Sequence, residues 1–193
     1  MPALGSAPLV KEASGPSEWI VRWSHLVAPG AAVLDVAAGS GRHARWFAAR
    51  GHGVTAIDRD ITALRGIAGV QPVEADLEDG SPWPLGQTQR FGAVVVTNYL
   101  HRPLMAQLFA ALTPGGILLY ETFARGNETV GKPSNPAFLL APGELLEMVR
   151  GTLRVVAFED GFSAAQRPAF IQRICAVNEV AATTTPARYD LAV

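Results

Sequence analysis

Along most of this chain, short apolar runs rich in β-branched residues alternate with stretches in which apolar positions recur every three or four residues. That alternation predicts parallel strands joined by crossover helices. The first strand spans Ala31 to Val36, followed by a helix that runs to Arg50 and is ended by Gly51. Val54 to Ile57 reads as the second strand, with a helix from about Ile61, and Val73 to Ala75 as the third, with the turn-rich Asp79-Gly80-Ser81-Pro82 after it. Phe91 to Val96 is almost wholly apolar, as a central strand covered on both faces should be. Pro103 opens a helix that Pro114-Gly115-Gly116 stops, and Ile117 to Phe123 is the fifth strand. Residues 124 to 141 form an irregular stretch long enough to be a lid or binding loop, or else a well-packed loop with polar turns. Glu144 to Val149 is helical again. Leu153 to Phe158 and Phe170 to Val177 are strands separated by a break at Gly161 and Pro168, close enough for an antiparallel hairpin. Ahead of all this, Ser17 can cap a helix carrying Trp19, Ile20, Trp23, Leu26 and Val27, closed by Pro29-Gly30.

Residues 1 to 16 and 179 to 193 lack this periodicity and read as flexible tails around a single domain over 17 to 178. The 193 residues, 49% hydrophobic and 17% charged, are enough to close one sizeable core. A formal charge of -1 gives no long-range attraction to nucleic acid or an anionic membrane. Trp19, Trp23, Trp46 and Trp83 have no basic stripe among them and fit a core better than a nucleobase platform. With no signal-like start and no bilayer-length apolar run, the expected protein is cytoplasmic, without a nucleic-acid or membrane partner. The single cysteine, Cys175, lies in an apolar run and reads as a buried, inert thiol. His25, His43, His52 and His101 show no ligand spacing, so no metal is expected.

In an open α/β sheet, ligands sit beyond the carboxyl ends of the strands. After the first strand comes Gly39-Ser40-Gly41-Arg42-His43, where glycines let backbone approach a ligand and the next helix offers N–H groups to an anion. Gly39-x-Gly41-x-x-Ala44 also satisfies a relaxed dinucleotide fingerprint, so an NAD-dependent oxidoreductase is a rival reading. Against it, Asp35 at the strand end would repel a pyrophosphate and suit an ammonium group. Asp58, with Arg59 beside it, closes the second strand, where a carboxylate can accept from both ribose hydroxyls. Asp76 closes the third, within reach of an adenine amino group, with Leu77 for the ring face. Each aspartate taken singly could be a turn residue or helix cap; three in succession, each ending its own strand, make a nucleoside pocket.

These residues carry a resemblance. Val33-Leu34-Asp35-Val36-Ala37-Ala38-Gly39-Ser40-Gly41, then Asp58, Asp76 and Leu112-Thr113-Pro114-Gly115-Gly116, resemble the class I S-adenosylmethionine-dependent methyltransferases over roughly residues 30 to 178. The resemblance implies a Rossmann-like α/β fold, with a seven-stranded, mostly parallel sheet, a reversed last strand and helices on both faces. It implies S-adenosylmethionine as cofactor. Asp35, Ala37, Ala38 and the Gly39 to Gly41 turn would hold its methionine part, Asp58 the ribose, and Asp76 with Leu77 the adenine. The family usually has glycine where this chain has Ala37, so the backbone there is expected in an ordinary conformation. A narrower likeness, to small bacterial methyltransferases of the tellurite-resistance type, lies in Tyr99-Leu100-His101-Arg102-Pro103-Leu104, in Tyr120-Glu121-Thr122-Phe123 and in Gly126-Asn127-Glu128.

A sulfonium methyl is already activated, so in-line transfer to a small-molecule acceptor needs mainly alignment and exclusion of water. Asn98, Tyr99 and His101 follow the fourth strand where the methyl should emerge, and Tyr120 and Glu121 are expected to face the same mouth. His101 is the first choice for a base, with Tyr99 and Glu121 as the other catalytic candidates. Asn98 joins the cofactor set, as does Arg42, which either reaches the cofactor carboxylate or is an exposed helix residue. Arg102 either steers an anionic acceptor or pairs with a carboxylate. A non-catalytic protein that binds S-adenosylmethionine is a second rival reading.

Overall fold

The computed structural model describes residues 15 to 164, 167 to 179 and 187 to 191. The two expected tails therefore lie largely outside the described residues. Seven strands form one sheet: β1 (Val33–Val36), β2 (Val54–Asp58), β3 (Val70–Glu74), β4 (Phe91–Thr97), β5 (Leu112–Phe123), β6 (Arg154–Ser163) and β7 (Ala169–Val177). Their order is β3-β2-β1-β4-β5-β7-β6. Every pairing is parallel except those of β7, which runs antiparallel to both β5 and β6. The expected seven-stranded sheet with a reversed last strand is thus present. The strand order turns back on itself at β1 and β4, and the crevice beyond their carboxyl ends is the ligand position such a sheet provides.

Helices cover both faces. Leu34, Val36, Val94, Val96, Leu118 and Tyr120 point to one side, against α3 (Met105–Ala110) and α4 (Glu144–Val149). Val33, Ala93, Val95, Leu119 and Cys175 point to the other, against α1 (Glu18–Trp23) and α2 (Arg42–Ala48). This is the period-two alternation of strands buried on both faces. Ser17 caps α1 as read, its side chain accepting from the Trp19 N–H. Burial pushes the Cys175 thiol up to about 12, so it stays protonated within the core.

Some readings differ: the third strand lies at Val70–Glu74 and not at Val73 to Ala75, the fifth begins at Leu112 and not at Ile117, and two further elements change more. No helix starts at Ile61: residues 61 to 65 make one turn, closed by the Arg65 N–H on the Ile61 carbonyl. Gly66 and Gly69, both with positive φ, end any continuation, and a single turn fixes too many dihedrals for its one hydrogen bond to persist as a helix. Strand β6 runs through Gly161 to Ser163, where a break was expected. As the sheet edge it needs a partner on one side only, and Phe162 packs on Phe170 across the hairpin with ring centroids 5.1 Å apart. Among the described residues, no helix is long and apolar enough to cross a membrane.

Candidate functional site

The turn after β1 is built from residues that hold one another. The Ala38 N–H donates to the Ile57 carbonyl (3.0 Å), the Gly39 N–H to Asp58 Oδ2 (2.7 Å) and the Gly41 N–H to the Ala38 carbonyl (2.9 Å). Ala37, expected in an ordinary conformation, instead has φ of 52°. This left-handed backbone carries a cost of roughly 1 to 2 kcal/mol for a residue with a Cβ, and the hydrogen bonds on either side impose it. The loop therefore follows the path a glycine would take. At Gly41, φ is 74° and a Cβ would stand 2.7 Å from Leu64 Cδ2, so only glycine fits. Arg45 braces the same turn, donating to the carbonyls of Ser40 and Ala63.

Asp35 is buried, and its Oδ2 accepts from the Ala44 N–H at 3.0 Å. The carboxylate thus occupies an N–H of α2 that the sequence reading offered to a ligand. Burial, against the Ala44 bond and the nearby Arg42 charge, raises its pKa to about 7. Asp58 is half-buried; besides Gly39 it accepts from the Asp60 N–H at 3.0 Å. Asp76 accepts from the Glu78 N–H at 2.9 Å in an Asx turn and is exposed. Each carboxylate keeps lone pairs free for further donors.

Ala37, Asp58, Arg59, Ala75, Asp76, Leu77, Glu78 and Tyr99 line one cleft of about 290 Å³. The three-strand aspartate reading thus brings Asp58 and Asp76 together as expected. Tyr99, expected at the methyl mouth, is on the wall of this cleft. Asn98, exposed and left-handed at φ 55°, redirects the chain just before it. The Tyr99 hydroxyl is buried beside the Glu78 carboxylate. Burial and then the Glu78 charge hold its pKa above the usual tyrosine value, which leaves the phenol a donor and not a base.

A second polar layer joins Ser17, Arg42, His43, Thr97 and Glu121, drawn from distant parts of the chain. The Ser17 N–H donates to His43 Nε2 (3.1 Å), and the Ser17 hydroxyl donates to Glu121 Oε1 (2.8 Å). His43 Nδ1 lies 3.4 Å from Thr97 Oγ1, and Arg42 Nη2 donates to the same oxygen at 3.5 Å. Glu121 also pairs with Arg173 (3.4 Å), which pairs in turn with Glu159 (2.5 Å). Tyr120 and Glu121, expected at one mouth, point to opposite faces of the sheet, as consecutive strand residues must. The Tyr120 hydroxyl donates to the Tyr99 carbonyl at 2.8 Å. Ser17, His43 and Thr97 are each unremarkable in their own segments, and only the tertiary fold brings them together. His101 is half-buried, and its ring makes no hydrogen bond among the described residues. Arg102 is committed to Glu144 (2.6 Å) and to the carbonyls of Ala137 (2.8 Å) and Leu139 (3.1 Å).

No family model and no curated protein matches the sequence. Solved structures do match. TehB from Haemophilus influenzae aligns with a TM-score of 0.68 at 15% identity, over 83% of this chain and 61% of that one. The chain therefore spans less than two thirds of TehB. The 1,6-didemethyltoxoflavin-N1-methyltransferase of Burkholderia thailandensis, with 1,6-didemethyltoxoflavin and S-adenosylhomocysteine bound, aligns at 0.61 and 22% identity over 84% and 76% of the two chains. The glycopeptide N-methyltransferase MtfA, complexed with S-adenosylhomocysteine, aligns at 0.60 and 22% identity over 86% and 91%. The resemblance read from the motifs holds: the fold is that of the class I S-adenosylmethionine-dependent methyltransferases.

Proposed function

We propose that this chain is an enzyme that transfers the methyl group of S-adenosylmethionine to a small-molecule acceptor by in-line displacement. The observation that carries the reading is the cleft at the carboxyl ends of β1 to β4, where Asp58, Asp76, Leu77 and Tyr99 surround one nucleoside-sized space in a sheet of this topology. The residues present fit the cofactor. Asp58 would accept from the ribose hydroxyls, Asp76 from the adenine amino group, and Leu77 would lie on the ring, with Arg59 at the rim. Ala37, Ala38, Gly39 and Gly41 would pass their backbone beside the methionine part, with Asn98 at its edge.

When bound, the cofactor supplies an activated methyl on a sulfonium, so the protein's share is alignment and exclusion of water. His101 would serve as the base for an acceptor that needs one, because its ring is free of other bonds among the described residues. Glu121, tied to Ser17 and Arg173, acts by position and not as a proton carrier.

Titration calorimetry with S-adenosylhomocysteine and, separately, with NAD tests the cofactor. Binding of the first alone is expected, and binding of NAD alone would sink the reading. Asp58→Ala should weaken S-adenosylhomocysteine about tenfold or more, by removing charge-assisted hydrogen bonds worth roughly 1.5 to 3 kcal/mol. Release of S-adenosylhomocysteine from S-adenosylmethionine with a panel of thiol, oxyanion, amine and carboxylate acceptors separates an enzyme from a protein that only binds the cofactor.

A further inference from the structure

A second groove, of about 430 Å³, opens at the amino ends of β1 to β4, and Gly53, Thr55, Gln71, Gln89, Arg90 and Phe91 are on its walls. Leu34 and Ile57 belong to the apolar cluster under α3 and α4, so by the alternation of β2 Thr55 faces that same side. Residues 75 to 90, which carry the chain from β3 to β4, form turns and no helix, so this connection lays no helix over that end of the sheet. The space is open at Gly53, where an added Cβ would meet no atom within 4 Å. Thr55 is 7% exposed, and its hydroxyl makes no hydrogen bond among the described residues. Valine has the same shape and would sit beside Leu34 and Ile57 without a polar group to satisfy; threonine there leaves a nine-tenths buried hydroxyl for a partner outside the chain. Gln71, opposite Thr55 in the register of β2 and β3, and Gln89 present side-chain amides that nothing among the described residues takes up. Arg90 Nη1 donates to the carbonyls of Gln87 (2.5 Å) and Gln89 (3.0 Å), which fixes the guanidinium and leaves its Nε and Nη2 hydrogens free among the described residues. None of the lining residues is acidic, so the Arg90 charge meets no counter-ion in the groove.

We infer that this groove is a second binding site, for a small organic anion whose carboxylate or phosphate meets Arg90 and whose hydroxyl or carbonyl groups meet Thr55, Gln71 and Gln89. The lone guanidinium sets the sign of the ligand's charge. The hydroxyl and the two amides, each both donor and acceptor, set the polarity of its body. A cation would find only these dipoles and a like charge. Strand β2 runs from Thr55 at this groove to Asp58 at the other cleft, three residues or roughly 10 Å of extended chain. The two sites are therefore separate, and the inference does not depend on the cofactor reading.

Three matched probes test the site by amide-resolved NMR titration of the full chain: glycerol 3-phosphate, which carries a phosphate, glycerate, which carries a carboxylate, and glycerol, which carries no charge. Saturable shifts at Thr55, Gln71 and Arg90 are expected with one or both anions, the tighter one naming the charged group, and with glycerol at least about tenfold weaker binding. Arg90→Gln should weaken the anion about tenfold or more, and Thr55→Val about fivefold, while Thr55→Ser should keep the wild-type affinity. A dispersed amide spectrum shows that each variant is folded. The site is overturned by the absence of saturable shifts at these residues with either anion, by equal affinity for glycerol, or by wild-type affinity in Arg90→Gln or Thr55→Val. Shifts confined to Ala37, Asp58 and Asp76 would put the anion in the other cleft and overturn it as well.

Discussion

Two buried residues titrate in opposite senses on the same side of the sheet. Asp35 is raised from 3.8 to about 7 by burial, so between those pH values the folded protein holds a proton that the unfolded chain has released. Its stabilisation is complete below pH 3.8 and is lost as pH rises to about 7. His43 is lowered from 6.5 to about 3 by burial, so its stabilisation is complete above pH 6.5 and is lost as pH falls toward 3. Across the shared window the two slopes oppose each other. Relative to wild type, Asp35→Asn should therefore lose stability as pH falls from about 7 to 3.8, and His43→Asn should lose it as pH rises from about 3 to 6.5. Urea unfolding at a series of pH values measures both; variant profiles parallel to wild type would show that these groups do not titrate in this way. At this scale much was readable. Asp58 and Leu77 with Asp76 line one cleft as expected, because they follow the carboxyl ends of the neighbouring parallel strands β2 and β3. The backbone at Ala37 was misjudged by sequence reasoning, since a left-handed residue leaves no mark in hydrophobic periodicity.

The elements behave unequally. Strands and the helices from Ser17 and Glu144 were legible because their periodicity and caps are local. The missing helix after Ile61 and the extension of β6 were not, because glycine spacing and an edge partner decided them. Loop 124 to 141 was left open between a lid and a packed loop. It is closed at its base by the Arg125 N–H on the Leu140 carbonyl (2.9 Å) and the Leu140 N–H on the Phe123 carbonyl (3.0 Å), and Leu139 and Leu140 are buried. Arg102 gathers α4 and the loop carbonyls into one fork. Arg102→Ala should cost about 1 to 2 kcal/mol, the pair being partly exposed. Hydrogen exchange should then speed up at Leu139, Leu140 and Ala141, with β1 and β4 unchanged. A rise spread evenly over the sheet would contradict this bracing role.

For the whole molecule, topology was legible because the parallel alternation and the closing hairpin are both short-range signals. The polar layer was not, because it joins residues far apart in the chain. A ligand of the folded state should stabilise the entire sheet: S-adenosylhomocysteine at a hundred times its dissociation constant adds about 2.7 kcal/mol. Ser17 has a consequence for the order of assembly. Besides capping its own helix, it reaches His43, 26 residues away, and Glu121, 104 residues away. The first helix cannot find its seat until the middle of the sheet exists. Refolding followed through the indoles of Trp19 and Trp23, which α1 buries, should lag behind the far-ultraviolet signal of strand pairing, and coincident traces would refute that sequence of events. Helix α1 would then be among the last elements to settle, and the polar layer it closes through Ser17 would be complete only when it does.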